Sequence, residues 1–208
     1  MSDEALRRAA REAAADPAPG EEAALLRQRV RSGELEELAL RRAAALGSAA
    51  AALALGREPA SGDLAERSEA FLGTCRLSDS VRLALSAAGA AARACDAERA
   101  EPVKRLLRAI RDLLLDIDLG EAQDEVDASL EAVNPRTPLV MGQPTYPPDA
   151  PPAHWAQQAA FEAGRTTQHP QLFRVHAHCA VVFAIRAVGE DPVRRALESE
   201  FFPSLLGG

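Results

Sequence analysis

Alanine, the residue with the highest intrinsic helix propensity, occurs 45 times among the 208 residues of this chain. The β-branched and aromatic residues that strands favour are scarce over the first 100 positions. Phe71 is the only aromatic residue before Tyr146. This composition predicts an all-α protein, in which an irregular bundle of about ten helices is packed as helical hairpins.

Glycine and proline mark the predicted ends of the helices. Helices are expected over about 3–15, 21–32, 34–46 and 49–55, and the last three end at Gly33, Gly47 and Gly56. The most regular helix is expected to begin with Pro102 as its first residue. Apolar side chains then recur at helical spacing and predict the centre of the core: Val103, Leu106, Leu107, Ile110, Leu113, Leu114 and Ile117.

The segment from Gly33 to Gly56, GELEELALRRAAALGSAAAALALG, resembles the N-terminal helical segment of uncharacterised alanine-rich bacterial proteins. Some of those proteins are similar to immunity proteins and to helical-repeat modules. The resemblance covers about 24 to 50 of the 208 residues. It implies an interaction role in a bacterial protein and carries no catalytic residue with it.

A proline-rich segment divides the chain into three parts. Residues 134–152 hold seven of the fourteen prolines and are predicted to form a long loop. Residues 1–133 form the expected alanine-rich scaffold, and residues 153–208 are expected to pack back on it, because 56 residues are few for an independent domain. Helices are predicted over about 152–166, 170–188 and 191–202. The middle one also alternates like a strand, although its length and neighbours favour a helix.

Charge and cysteine content exclude several classes of protein. The formal net charge of −7 and the pI of about 5.2 argue against a nucleic-acid-binding protein. The chain has no run of 18 apolar residues, and its charged N-terminus lacks the apolar centre of a signal peptide. Three cysteines without close spacing argue against a disulfide framework. These features predict a cytoplasmic protein that does not bind membranes.

An acidic stretch and a pair of aromatic residues form the candidate surface for a protein partner. No basic residue interrupts the sequence between Arg111 and Arg136. Tyrosine and tryptophan are favoured anchors at interfaces. The alternatives are a solvated helix face for the acidic residues and a structural plug for the rings, while a calcium loop would need glycine where the chain has Glu121. The predicted partner-binding residues are Tyr146, Trp155, Asp118, Asp124, Glu125 and Asp127.

A second candidate site lies around the sequence His176-Ala-His178-Cys179. On a helix, His176 and Cys179 could reach one ion, but His178 would point elsewhere, so the three or four ligands that zinc needs are missing. Nucleophilic catalysis by Cys179 is disfavoured, because burial in an apolar run raises the pKa of a thiol. We therefore expect no metal, no cofactor and no catalytic residue. The alternative is a small-molecule pocket lined by Arg174, His176, His178 and Arg186.

These observations predict a non-enzymatic protein-interaction module, such as an adaptor or an immunity-like protein, although the sequence does not settle whether the chain is an enzyme. Its expected partner is another protein with a basic surface. One alternative is a helical domain that binds a small molecule or a metal near His176. The other is a structural subunit of a homo-oligomer, in which exposed leucines are buried between copies.

Overall fold

The computed structural model describes residues 19–115, 119–135, 139–140, 143–144, 147 and 149–207. The predicted all-α fold class is confirmed. The helix predicted over 3–15 and two predicted site residues, Asp118 and Tyr146, lie outside the described residues.

The described helices follow one another closely along the chain. They are α1 (Pro19–Ser32), α2 (Glu37–Leu46), α3 (Ala49–Ala54), α4 (Leu64–Leu72), α5 (Leu77–Ala91), α6 (Ala97–Leu114), α7 (Leu119–Val133), α8 (Pro152–Gln168), α9 (Phe173–Val188), α10 (Glu190–Ala196) and α11 (Phe202–Leu205). A 3-10 turn, Ala92–Ala94, follows α5, and a π-helical stretch, Leu197–Phe201, joins α10 to α11. Within the proline-rich segment, β1 (Leu139–Val140) pairs antiparallel with β2 (Gln143–Pro144).

The chain divides into two compact units, and the first comprises residues 1–63 and 204–208. Its helices end where glycine allows a positive φ, which is 78° at Gly33, 116° at Gly47 and 68° at Gly56. The predicted ends of α1, α2 and α3 are therefore confirmed. Helix α3 packs on both α1 and α2. Gly207 belongs to this unit, where its carbonyl accepts a hydrogen bond of 2.5 Å from the guanidinium of Arg29.

The second unit comprises residues 64–203 and contains α4 to α10 and the first residues of α11. Helices α8 and α9 form a hairpin that packs on α5, while α6 and α7 form a second pair that also contacts α8. The prediction of a helix rather than a strand over about 170–188 is confirmed by α9. Phe201 and Phe202 are buried, and the Phe201 ring meets the Phe71 ring edge-on with 5.6 Å between centroids.

Helix α6 begins earlier than the sequence predicts. It starts at Ala97, because the side chain of Asp96 accepts a hydrogen bond from the backbone N–H of Arg99 and so caps the helix. The expectation that Pro102 is the first helical residue is therefore wrong. Pro102 lies inside the helix, and its missing N–H leaves the carbonyl of Glu98 without the usual helical donor.

The apolar stripe of α6 is buried along its first part. Val103, Leu106 and Ile110 are at most 1 % exposed, and Leu107 is also buried. Towards the end of the helix Leu113 and Leu114 are only half-buried, and Ile117 lies outside the described residues. The predicted central helix thus supplies the core through its middle turns, from Val103 to Ile110.

A glycine lets α8 approach α6 and α7 closely. A Cβ at Gly164 would lie 2.6 Å from Leu130 Cδ1 and 3.3 Å from Leu106 Cδ1. Atoms at such distances overlap, so a larger residue would force the neighbouring leucines to move. Gly164 therefore sets the separation of these three helices.

Candidate functional site

The acidic face of α7, which consists of Glu121, Asp124, Glu125, Asp127 and Glu131, is exposed to solvent. The opposite face of the same helix is buried through Ala122, Val126, Ser129, Leu130 and Val133. This division follows from helical periodicity, since apolar residues three and four positions apart lie on one side. Three of the predicted partner-binding residues, Asp124, Glu125 and Asp127, therefore share one accessible surface.

Few basic groups neutralise the acidic face. Glu125 Oε1 lies 4.0 Å from Arg105 Nε, and both side chains are more than half exposed. Asp127 accepts hydrogen bonds from two amides, those of Gln168 at 2.7 Å and Gln123 at 2.8 Å. The other three carboxylates form no ion pair within the described residues. The face therefore keeps most of its negative charge for interaction with solvent or a partner.

A groove of about 270 Å³ opens beside the acidic face, between α7 and α8. The half-buried ring of Phe161 forms part of its wall, and the guanidinium of Arg165 lies 5.8 Å from the centre of that ring. His169 stands at one end, where burial and the nearby charge of Arg165 lower its pKa. The groove is lined by Asp127, Leu130, Glu131, Asn134, Phe161, Arg165, Gln168 and His169.

Trp155 lies in the core of the second unit. It is 5 % exposed, and its indole stacks on Phe183 with 5.5 Å between ring centroids. The guanidinium of Arg186 lies 4.8 Å from the centre of the same indole. This burial favours the structural role that the sequence left as the alternative, whereas a role of Trp155 in partner binding stays a prediction. Tyr146 was the other predicted aromatic anchor and lies outside the described residues.

The four residues of the alternative ligand site point in different directions from α9. His176 faces Glu162 on α8, and His178 Nδ1 lies 3.2 Å from the hydroxyl of Ser68 on α4. Arg174 covers the ring of its neighbour Phe173. Arg186 covers the indole of Trp155. Because each of the four side chains has a different neighbour, the structure does not bring them to one pocket.

A buried carboxylate that the sequence analysis missed is the partner of His176. The Nδ1 atom of His176 lies 2.7 Å from a carboxylate oxygen of Glu162, and each side chain is 7 % exposed. The other ring nitrogen, Nε2, is buried without a hydrogen-bond partner in the described part of the chain. The ring of His169 lies 5.5 Å from that of His176, between centroids. The signal in the sequence was Glu162 itself, a charged residue at helical spacing with Ala159 and Thr166.

The cysteines and histidines of this region do not form a reactive or metal-binding cluster within the described residues. Burial, together with the negative charge of Glu162, raises the pKa of Cys179 to about 11, so the thiol is protonated at neutral pH. No group of three or more histidine, cysteine, aspartate or glutamate residues is arranged to hold a metal ion across the described ranges. The histidines of α9 are instead engaged in contacts between helices.

No protein-family model matches the sequence, and no curated protein or solved structure is significantly similar to it. Among the helices that the structure describes, none is long and apolar enough to cross a membrane.

Proposed function

We propose that this protein is a protein-interaction module that binds a basic segment of its partner on the acidic face of α7. The observation that carries the proposal is a set of exposed carboxylates with little neutralisation, placed along the rim of a groove. Because exposed ion pairs contribute little to folding, these charges are free to act in recognition. Opposite charge on a partner would accelerate encounter and define its orientation.

The groove gives the partner's side chain a specific place. Asp127 and Glu131 supply carboxylates on the α7 side, and Phe161 supplies an aromatic surface on the α8 side. An arginine side chain suits this combination, because its guanidinium both pairs with carboxylates and stacks on aromatic rings. The guanidinium of Arg165 already lies 5.8 Å from the centre of the Phe161 ring, which shows that this ring is accessible to a guanidinium. We therefore expect the bound segment to contain arginine more often than lysine.

The test uses the full chain and an array of synthetic peptides that differ in their number of arginines, with lysine and glutamate versions as comparison. Binding should rise with the number of arginines and weaken steeply as salt increases. The triple variant Asp124→Lys, Asp127→Lys, Glu131→Lys should lose at least about tenfold in affinity.

The matched control carries the same change in net charge elsewhere, at Glu34→Lys, Glu58→Lys and Glu69→Lys, all of which are exposed. This control should keep most of the binding. Equal loss in both variants would mean that only net charge matters, and full binding by the α7 variant would remove the proposed surface; either result contradicts the proposal.

The homo-oligomer alternative also has a supporting observation. In the first unit, Leu25 on α1 is 56 % exposed and Leu38 on α2 is 49 % exposed. Burial of such side chains between copies would stabilise an oligomer. Light scattering on the wild type and on the double variant Leu25→Gln, Leu38→Gln would test this. An oligomeric wild type and a monomeric variant would support the alternative, whereas a monomeric wild type would exclude it. The cytoplasmic location and the bacterial source stay predictions.

A further inference from the structure

Helix α6 carries a basic face that the proposed function leaves unused. Four cationic side chains of this helix are exposed, and their spacing of i, i+1, i+4 and i+7 places them on one side. The apolar stripe of the same helix is buried on the opposite side. The basic face consists of Lys104, Arg105, Arg108 and Arg111.

The carboxylates around the basic face neutralise only part of its charge. Lys104 Nζ lies 2.9 Å from a carboxylate oxygen of Glu101, one turn earlier on α6. The Arg105 side chain reaches the acidic face of α7 at 4.0 Å. Arg108 and Arg111 form no ion pair or hydrogen bond within the described residues. Two exposed guanidinium groups therefore remain available to a partner.

The basic face of α6 lies beside the acidic face of α7, and the two helices run antiparallel. Pro102 of α6 and Ala132 of α7 line one surface groove. Later on α6, Arg105 reaches Glu125, which lies earlier on α7. Packed helices of this kind lie about 8–10 Å apart. The molecule therefore presents two parallel rows of opposite charge side by side.

Two such rows are complementary to a second copy of themselves. A two-fold axis that runs parallel to the helices, between α6 and α7, places α6 of each copy opposite α7 of the other. Each basic face then meets an acidic face, and the same contact is made twice. Like charges would meet if α6 faced α6, so electrostatic repulsion disfavours that arrangement.

We propose that a second copy of this chain is a partner of the acidic face, and that its α6 supplies the basic segment in a two-fold symmetric dimer. This inference rests on the proposed function, because the acidic face supplies half of each contact. A basic peptide on the acidic face would compete with the second copy. Self-association would therefore regulate access to that face.

The size of this surface defines the kind of dimer. Two helices about 27 Å and about 22 Å long, lying about 10 Å apart, expose roughly 500 Å² per copy. The dimer would bury about 1,000 Å² in total, which is at the low end of specific interfaces. We therefore expect a transient dimer whose strength depends on charge.

Sedimentation velocity of the full chain measures the association. The wild type should form dimers between about 10 µM and about 0.5 mM protein at about 0.02 M salt, and its mass should not exceed that of two chains. The dissociation constant should rise at least about tenfold at about 0.3 M salt, because salt screens exposed charges.

Charge reversal on either helix should abolish the dimer, because like charges would then meet. The α6 variant is Arg105→Glu, Arg108→Glu, Arg111→Glu, and the α7 variant is the triple lysine variant described above. An equimolar mixture of the two should restore a 1:1 dimer, since one copy then carries only acidic faces and the other only basic ones. Each reversal changes the net charge of −7 by six, so both variants stay negative and overall attraction cannot cause this result.

The matched control for the α6 variant is Arg31→Glu, Arg57→Glu, Arg76→Glu. These arginines are exposed, and their side chains form no ion pair within the described ranges. This control and the variant Leu25→Gln, Leu38→Gln should both keep the dimer. The proposal is overturned if the wild type stays monomeric at low salt, if the mass grows beyond two chains, if the control loses the dimer as fully as the α6 variant, or if the mixed variants do not associate.

The α6 variant also separates this inference from the proposed function. Its acidic face is unchanged, so it should bind arginine peptides at least as tightly as the wild type, and excess peptide should dissociate the wild-type dimer. Peptide binding by a wild type that stays monomeric would overturn the dimer alone. Failure of the α6 variant to bind any arginine peptide would contradict the proposed function itself.

Discussion

The α8–α9 hairpin and helix α7 accommodate charge in opposite ways. In the hairpin, Glu162 and His176 are taken out of water and paired with each other at 2.7 Å. On α7, five carboxylates remain in water with one distant basic neighbour. A buried charge that loses its partner is strongly destabilising, whereas an exposed one contributes little to folding. The first arrangement therefore constrains the fold, and the second leaves charge available for a partner.

The largest effect that this contrast predicts is on the buried pair. His176→Leu should reduce the free energy of unfolding by about 3–5 kcal/mol, because Glu162 would stay buried without its partner. Chemical denaturation followed by circular dichroism measures this. The double variant with Glu162→Leu should recover much of the loss.

Arg174→Leu, on the exposed part of the same helix, is the control and should change stability by less than about 0.5 kcal/mol. A loss below about 1 kcal/mol for His176→Leu would mean that the pair does not constrain the hairpin.

A smaller effect is expected where α8 approaches α6 and α7. Gly164→Ala should destabilise by about 1–3 kcal/mol, because the added methyl group would overlap Leu130. The same substitution at Gly89, in the last turn of α5, meets no atom within 4 Å and should stabilise by about 0.5–1 kcal/mol. Thermal denaturation of the two variants compares them directly, and the same sign for both would contradict the close packing at Gly164.

A pH titration tests the two histidines whose pKa values are lowered in the folded protein. The pKa of His154 is lowered from 6.5 mainly by burial, so the unfolded chain binds a proton more readily than the folded one. The free energy of unfolding should therefore be retained above about pH 6.5 and should fall as the pH decreases below it. His169, whose pKa is also lowered, acts in the same direction.

The variant His154→Gln should make this decline less steep. The comparison is made by denaturant melts at a series of pH values. An unchanged slope in the variant would remove His154 as a contributor.

The smallest effect is expected on the acidic face of α7. Asp124→Asn should change the free energy of unfolding by less than about 0.5 kcal/mol, because the side chain is exposed and forms no ion pair in the described part of the chain. Denaturation with urea measures it. A loss above about 1 kcal/mol would show that this carboxylate supports folding and would weaken the contrast with the hairpin.

Local signals in the sequence predicted much of the fold. The ends of α1, α2 and α3 could be predicted because a glycine with positive φ terminates a helix through its own backbone. The apolar stripe from Val103 to Ile110 could be predicted because burial of one helix face makes apolar residues recur every three or four positions. The predicted start of α6, with Pro102 as its first residue, is wrong because the helix is capped by Asp96, which lies earlier in the chain.

The candidate site was less predictable, because it depends on how the helices are rotated against one another. The sequence predicted that His176 lies on a helix, but it could not place Glu162 opposite the Nδ1 atom. The groove beside the acidic face lies between two helices that the proline-rich segment separates in the sequence. By contrast, the exposure of Asp124, Glu125 and Asp127 follows from the amphipathic pattern of one helix.

The placement of Trp155 makes it an optical reporter on the hairpin. It is the only tryptophan of the chain, and its indole contacts the ring of Phe183 and the guanidinium of Arg186, with the centre of the His154 imidazole 5.3 Å from its own. Its emission should be blue-shifted in the native protein and move to the red when α8 and α9 separate. Protonation of the adjacent imidazole would change the intensity before the wavelength. The chain thus carries a built-in fluorophore that distinguishes protonation of His154 from unfolding of the core.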